Sequence, residues 1–227
     1  MSRKIKIDLI VDTICPWSFM GKRRLEQALK TVSEQGIPVE ASIRYCPMLL
    51  PDERTVIGMP RAAGYAKMTG IPEGVEEETK RVDAEGAKTG IHFKATGGVI
   101  SDSTNSHRLL EWAQSRPEAD PDGKFVMKLL DSIYVSYWER AEDISQIDVL
   151  VQCAKEVGLD PDTVKSFLES DELERLTTTK AWANGQRAGR EAPCFVIEGR
   201  IKVHGARDPE LWVDLFERLA PQPASQS

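Results

Sequence analysis

No two of the four cysteines in this 227-residue chain stand as C-x-x-C. Cys15, Cys46, Cys153 and Cys194 also lack zinc-ligand spacing with any of the three histidines, which disfavours a metal site. No apolar run approaches the roughly 20 residues that a membrane span needs. Met1-Ser2-Arg3-Lys4 passes straight into a strand pattern, without the apolar core of a signal peptide. No basic block offsets the net charge of −6, which argues against nucleic acid or an anionic membrane as partner. There is no G-x-S-x-G elbow, P-loop, G-x-G-x-x-G fingerprint or H-E-x-x-H helix, so serine hydrolase, nucleotide and zinc-peptidase chemistry are disfavoured. Internal repeats and low-complexity segments are absent as well. The expectation is a cytoplasmic globular protein whose cysteines are free thiols, with no bound cofactor.

What is present centres on residues 5–29. Ile5, Ile7, Leu9 and Val11 alternate with Lys4, Lys6, Asp8 and Ile10, the period of a strand with one buried face. Leu25, Ala28, Leu29 and Val32 then recur at helical spacing, and Pro16 suits a first helical position. Cys15 therefore falls where a strand ends and a helix begins. Orphan N–H groups and the helix dipole there favour a thiolate, and such a setting is expected to lower the thiol pKa from about 8.5.

Gly36-Ile37-Pro38 breaks the helix, and Val39, Ala41, Ile43 and Tyr45 share one face of a second strand, giving a βαβ unit closed by Cys46-Pro47 and Leu50-Pro51. From about residue 52 to 189 strand signals nearly vanish. Residues 73–89 read as a solvated helix and Thr104–Trp112 as another. The stripe through Phe125, Leu129, Ile133 and Tyr137 reads as a central helix. Ser145 is expected to cap the next helix, Asp160-Pro161 the one after, and Asp171 with Glu174 to form a capping box. Cys194–Ile197 and Ile201–Val203 form a hairpin around Glu198-Gly199-Arg200, and Asp208-Pro209 starts a last helix. The order βαβ, helical block, ββα is that of an α/β thioredoxin fold with a large all-helical insertion between its halves. The expected division is 1–51 with 190–219 as the thioredoxin-like part, 52–189 as the insertion, and a frayed tail at 220–227.

Several motifs then carry a family resemblance. They are Asp12-x-x-Cys15-Pro16-Trp17-x-x-x-Gly21-Lys22-Arg23-Arg24, Ser103-x-x-Ser106-His107-Arg108-Leu109-Leu110, Ala154-x-x-x-Gly158-Leu159-Asp160, and Ala188-Gly189-x-x-Ala192-Pro193-x-Phe195-Val196-Ile197, followed by Gly205-Ala206. In this order they resemble the DsbA-like thioredoxin superfamily, most closely its FrnE-like branch, which is related to 2-hydroxychromene-2-carboxylate isomerases and kappa-class glutathione transferases. The resemblance implies a cis Ala192–Pro193 bond beside Cys15, with the Ala192 backbone clamping a peptide-like ligand such as glutathione or a polypeptide. It also implies a site that includes Pro16 and Trp17.

Three departures modify that expectation. Redox members carry C-x-x-C, but Ser18 stands at the second position here, so Cys15 has no partner to release it from a mixed disulfide. Ser18 is expected instead to donate a hydrogen bond to the Cys15 sulfur. Asp102 replaces an asparagine near the expected site. Ala206-Arg207 replace a Ser-Asp pair that holds one end of glutathione, with Asp208 adjacent. Cys194 is a weaker candidate for a resolving thiol. His107 is expected mainly to pack, and Lys22 and Arg23 to lie on a solvated helix face. The leading expectation is a monothiol thiol-disulfide oxidoreductase with Cys15 as nucleophile and glutathione as external thiol. Its substrate would be a small molecule or a disulfide-containing protein. The alternatives are a glutathione-dependent isomerase or transferase of small aromatic compounds, and a non-catalytic peptide-binding scaffold. A homodimer stays open.

Overall fold

The computed structural model describes residues 2–50, 56–70, 74–116 and 123–221. Pro51, the first residue of the 73–89 run and most of the expected tail lie outside these residues. Four strands form one sheet: β1 (Arg3–Val11), β2 (Val39–Pro47), β3 (Cys194–Ile197) and β4 (Ile201–His204). The order is β2-β1-β3-β4, with β1 parallel to β2 and antiparallel to β3, and β3 antiparallel to β4. The parallel pair is joined by α1 (Pro16–Glu34), and α9 (Pro209–Leu219) packs beside α1. Between β2 and β3 run α2 (Arg61–Thr69), α3 (Gly74–Ala87), α4 (Thr104–Ser115), α5 (Lys124–Tyr134), α6 (Ile147–Glu156), α7 (Pro161–Glu169) and α8 (Glu174–Arg187). This is a thioredoxin-like α/β fold with a helical insertion.

The period-2 pattern of β1 sets the two faces of the sheet. Ile5, Ile7 and Leu9 are fully buried and join Phe195 and Ile197 in the main core with Phe19, Leu25 and Trp212. Phe195 meets the edge of Trp212 at 4.7 Å, locking the hairpin onto α9. On the opposite face Ile10, Cys46, Met48, Cys194 and Val196 make a smaller cluster with Ala188. Edge strand β2 is covered by α4, whose Gln114 side chain accepts from Tyr45 N–H at 2.8 Å and donates to Tyr45 C=O at 3.0 Å, so neither buried backbone group is orphaned.

Several local expectations are corrected. Helix α6 begins at Ile147, and Ser145 does not cap it. The Asp143 carboxylate takes the Ser145 N–H and hydroxyl at 3.0 and 2.7 Å, fixing the turn before the helix. The Asp171–Glu174 box does not form: Leu173, at φ +62°, precedes α8, and Asp171 contributes only its backbone carbonyl, to the Glu174 N–H. Asp208 precedes α9 without a side-chain cap. Asp160 does cap α7, its carboxylate accepting from Thr163 N–H at 2.9 Å. The apolar stripe of α5 ends in a π-helical turn over Val135–Glu139, which carries Trp138. Among the described residues, no helix is long and apolar enough to cross a membrane.

Candidate active site at Cys15

Cys15 sits immediately before α1, with φ −94° and ψ 118°, and Pro16 occupies the first helical turn. Its side chain is only 4% exposed. The Ala192–Pro193 bond is cis. The Cys15 Sγ–H donates to the Ala192 carbonyl at 3.5 Å, so the loop before β3 lies directly over the sulfur. Gly21 permits this approach: a Cβ there would stand 2.8 Å from Pro193 Cγ and 3.2 Å from Phe195 Cζ.

A cavity of about 300 Å³ opens beside the sulfur. Cys15, Pro16 and Trp17 form one side and Ala192 another, with Leu50 from the segment after β2. The inserted helices provide the rest: Tyr65 from α2, Glu78, Thr79 and Val82 from α3, Ala95 from the following loop, and Trp138 from the π turn. Trp138 is fully buried, meets Phe93 edge-on at 5.3 Å and Tyr137 at 4.9 Å, and has the Arg61 guanidinium 4.7 Å from its ring. At the rim, Arg81 lies 4.6 Å over the Trp17 ring and pairs with Glu78 at 3.3 Å.

The acidity of Cys15 differs from the expectation. Burial pushes the thiol up to about 11. The Ser18 side chain and the N–H groups of Ser18 and Trp17 pull it down, while the charge of Asp12 adds to the rise. A helix N-terminus favours a thiolate, but desolvation in this closed site outweighs it. Ser18 is fully buried beside the sulfur, and its side chain is the foremost of the influences that lower the thiol pKa.

Behind the sulfur lies a buried network that the sequence showed only as the first residue of D-x-x-C. The Asp12 carboxylate accepts from Ile14 N–H at 3.2 Å and from Leu50 N–H at 2.8 Å, and lies 3.3 Å from His107 Nε2. His107 Nδ1 in turn meets the Tyr45 hydroxyl. The Asp12 carbonyl takes Cys15 N–H at 3.2 Å. One side chain thus ties the cysteine turn, the cavity wall at Leu50 and α4 together.

The remaining sequence candidates lie elsewhere. Asp102 does not line the Cys15 cavity; it accepts Thr104 N–H at 2.9 Å at the start of α4 and borders a separate polar groove. Arg207 is exposed and donates to the His204 carbonyl at 2.7 Å, and Asp208 pairs with Arg24 at 3.2 Å. Neither borders the cavity. Lys22 is not on a solvated face: it is 1% exposed and held by Glu26 at 2.6 Å and Asp131 of α5 at 2.8 Å. Cys194 and Cys46 both stand opposite Ile10, on the sheet face away from α1. Two strand spacings, about 9.5 Å, separate them, beyond the roughly 7 Å that a disulfide spans. Cys194 packs with Ile10, Cys46 and Val196 in the smaller cluster. All four cysteines are free thiols. Tyr65, Val82 and Ala95 carried no sequence signal for this cavity, because each reaches it from a different part of the insertion.

A buried helix-start cysteine facing a cis-proline loop, on a β2-β1-β3-β4 sheet, defines a thioredoxin-like thiol protein of the DsbA type. The chain belongs to that family: the DSBA-like thioredoxin domain matches residues 6–217. Solved structures agree on the fold. A Streptomyces coelicolor protein described as a probable DsbA oxidoreductase is 21% identical, with 98% of this chain and 94% of that one covered and a TM-score of 0.80. The cytosolic disulfide reductase DsbM of Pseudomonas aeruginosa, solved with GSH, is 18% identical, covering 94% and 98%, with a TM-score of 0.62. A 2-hydroxychromene-2-carboxylate isomerase is 16% identical, covering 94% and 95%, with a TM-score of 0.63. No curated protein matches the chain.

Proposed function

We propose that this protein is a thiol-disulfide exchange enzyme with one catalytic thiol, Cys15, released from its mixed disulfide by an external thiol such as glutathione. The observation that carries this reading is the sulfur's position. It opens on a cavity and touches the Ala192 carbonyl at 3.5 Å, while Ser18 stands where a resolving thiol would be and Cys46 and Cys194 lie on the far face of the sheet.

The chemistry runs in two displacements. The Cys15 thiolate attacks one sulfur of a disulfide R–S–S–R′, forming Cys15–S–S–R and expelling R′–S⁻, which takes up the proton lost by Cys15. A thiolate from solution then attacks the R sulfur, and Cys15 leaves as thiolate. The N–H groups of Trp17 and Ser18 and the Ser18 hydroxyl, all of which already lower the thiol pKa, serve the anion in both steps. The half-buried backbone of Ala192, beside the sulfur, takes the ligand as a short strand. No resident cofactor is needed, and the free thiols suit a reducing, cytoplasmic setting.

Glutathione disulfide tests this. Intact-protein mass should show a single glutathione adduct on Cys15 that reduced glutathione removes and that Cys15→Ser never acquires. A protein that stays unmodified under these conditions would overturn the proposal. The aromatic cavity supports a second reading, activation of glutathione sulfur for isomerisation or transfer on a small aromatic compound. That reading requires glutathione binding and turnover to survive Cys15→Ser.

A further inference from the structure

The cavity beside Cys15 is chemically one-sided. Trp17, Leu50, Tyr65, Val82, Ala95 and Trp138 make its walls, and no Lys, Arg or His is among its described lining residues. It does present the carboxyl side chain of Glu78, and the nearby Arg81 is already engaged with Glu78 and with the Trp17 ring. The wall is also pre-formed: Phe93, Tyr137 and Arg61 hold Trp138 in place. A volume of about 300 Å³ is at the small end of ligand sites and suits one or two rings.

Resting on the thiol-exchange reading above, we infer that the group Cys15 exchanges with is carried on an uncharged aromatic or compact apolar body, seated between Trp17 and Trp138. Glutathione is then the releasing thiol, acting from the rim, and not the occupant of the cavity. A glutathionyl group would bring two carboxylates toward apolar walls and Glu78, where a charge removed from water without a partner is strongly disfavoured.

The test uses the full chain and two disulfides at pH 7. With 4,4′-dithiodipyridine, the Cys15 thiolate attacks one sulfur, forming Cys15–S–S–pyridyl. The expelled thiolate collects the thiol proton and is read as 4-thiopyridone by absorbance. With glutathione disulfide the adduct is read by mass. Each rate is divided by the rate of the same disulfide with a free model thiol, which removes intrinsic reactivity. The normalised preference for the neutral aromatic disulfide should be about tenfold or more, within the range a complementary apolar pocket provides. Val82→Asp, and independently Ala95→Phe, should each erase most of that preference, with folding of both checked by circular dichroism. Equal normalised rates, or a preference for glutathione disulfide, would overturn the inference while leaving thiol exchange standing. Reaction of Cys15 with neither disulfide would overturn both.

Discussion

The sheet with α1 and α9 and the helices between β2 and β3 divide the work at Cys15 unequally. The first region holds the sulfur, the Ala192 carbonyl against it and the buried Asp12 behind it. The second contributes Tyr65, Glu78, Thr79, Val82, Ala95 and Trp138, more than half of the cavity's described lining. The difference teaches that nucleophile and selectivity reside on separate parts of the chain, so substitutions in each should fail in different ways.

The sharpest break in that comparison is Ser18→Cys. The side chain at position 18 is fully buried one helical turn from Cys15, and its hydroxyl already influences the Cys15 sulfur. A thiol there turns release into an intramolecular step. A mixed disulfide at Cys15 should then decay without added thiol, faster by roughly a hundredfold or more, given the advantage of a positioned neighbour. The decay is followed by mass after gel filtration. A mixed disulfide as long-lived as in the parent protein would show that position 18 cannot reach the sulfur.

Trp138→Ala acts from the other region. Removing a fully buried indole from the wall should cost about 3–5 kcal/mol of unfolding free energy, measured by urea titration. Cys15 should remain modifiable by small alkylating reagents wherever the variant is folded. Loss of Cys15 reactivity in a folded variant would mean that the helices position the sulfur as well as the ligand.

The frame was legible because its signals are local. Alternation in β1, Pro16 after Cys15 and the β3–β4 hairpin each need only a few adjacent residues. The cavity was less so, because Val82 and Tyr65 are ordinary core residues until the insertion folds over Cys15, and Trp138 ends a stripe that reads first as helix core. The same reason explains Lys22, which looks like a surface residue in α1 until Asp131 arrives from α5. It explains the thiol too: a helix start is visible in sequence, whereas the burial that outweighs it is tertiary. Asp102, Arg207 and Asp208 were placed by resemblance, and here their side chains serve a helix start, a turn and an ion pair.

The acidity of Cys15 allows a quantitative test. With its pKa near 11, about one thiol in 10,000 is ionised at pH 7. The more basic thiolate is intrinsically more nucleophilic, with a Brønsted slope of about 0.4–0.5, so the net penalty against an ordinary cysteine is roughly twentyfold. Iodoacetamide modification of the free protein should be slower than that of free cysteine by at least this factor and should rise with pH toward 11. Because the Asp12 charge raises the thiol pKa, Asp12→Asn should move the profile to lower pH and speed alkylation at pH 7 by about threefold or more. A slower variant that stays folded would mean that Asp12 acts by positioning the turn rather than by charge.

The smallest expected effect tests how the two regions are joined. Asp8 on β1 is bound through both oxygens by Arg44 on β2, at 2.8 and 2.9 Å, and by Arg187 at the end of α8, at 2.6 Å. Burial raises its pKa, but the hydrogen bonds and charges of Arg44 and Arg187 outweigh burial and hold it below the ordinary carboxylate value. The unfolded chain therefore binds this proton more tightly than the folded one. The contribution is fully present above the unfolded pKa of about 3.9 and is lost as pH falls through the lower folded value. Because Arg44 is largely exposed, solvent screening limits the contribution to about 1 kcal/mol. Urea unfolding should show Asp8→Asn less stable than the parent by about that amount at pH 7, with the gap closing below about pH 4 as the parent's carboxylate protonates. A gap that persists unchanged at pH 3 would assign the effect to packing at the β1–α8 junction instead of to charge.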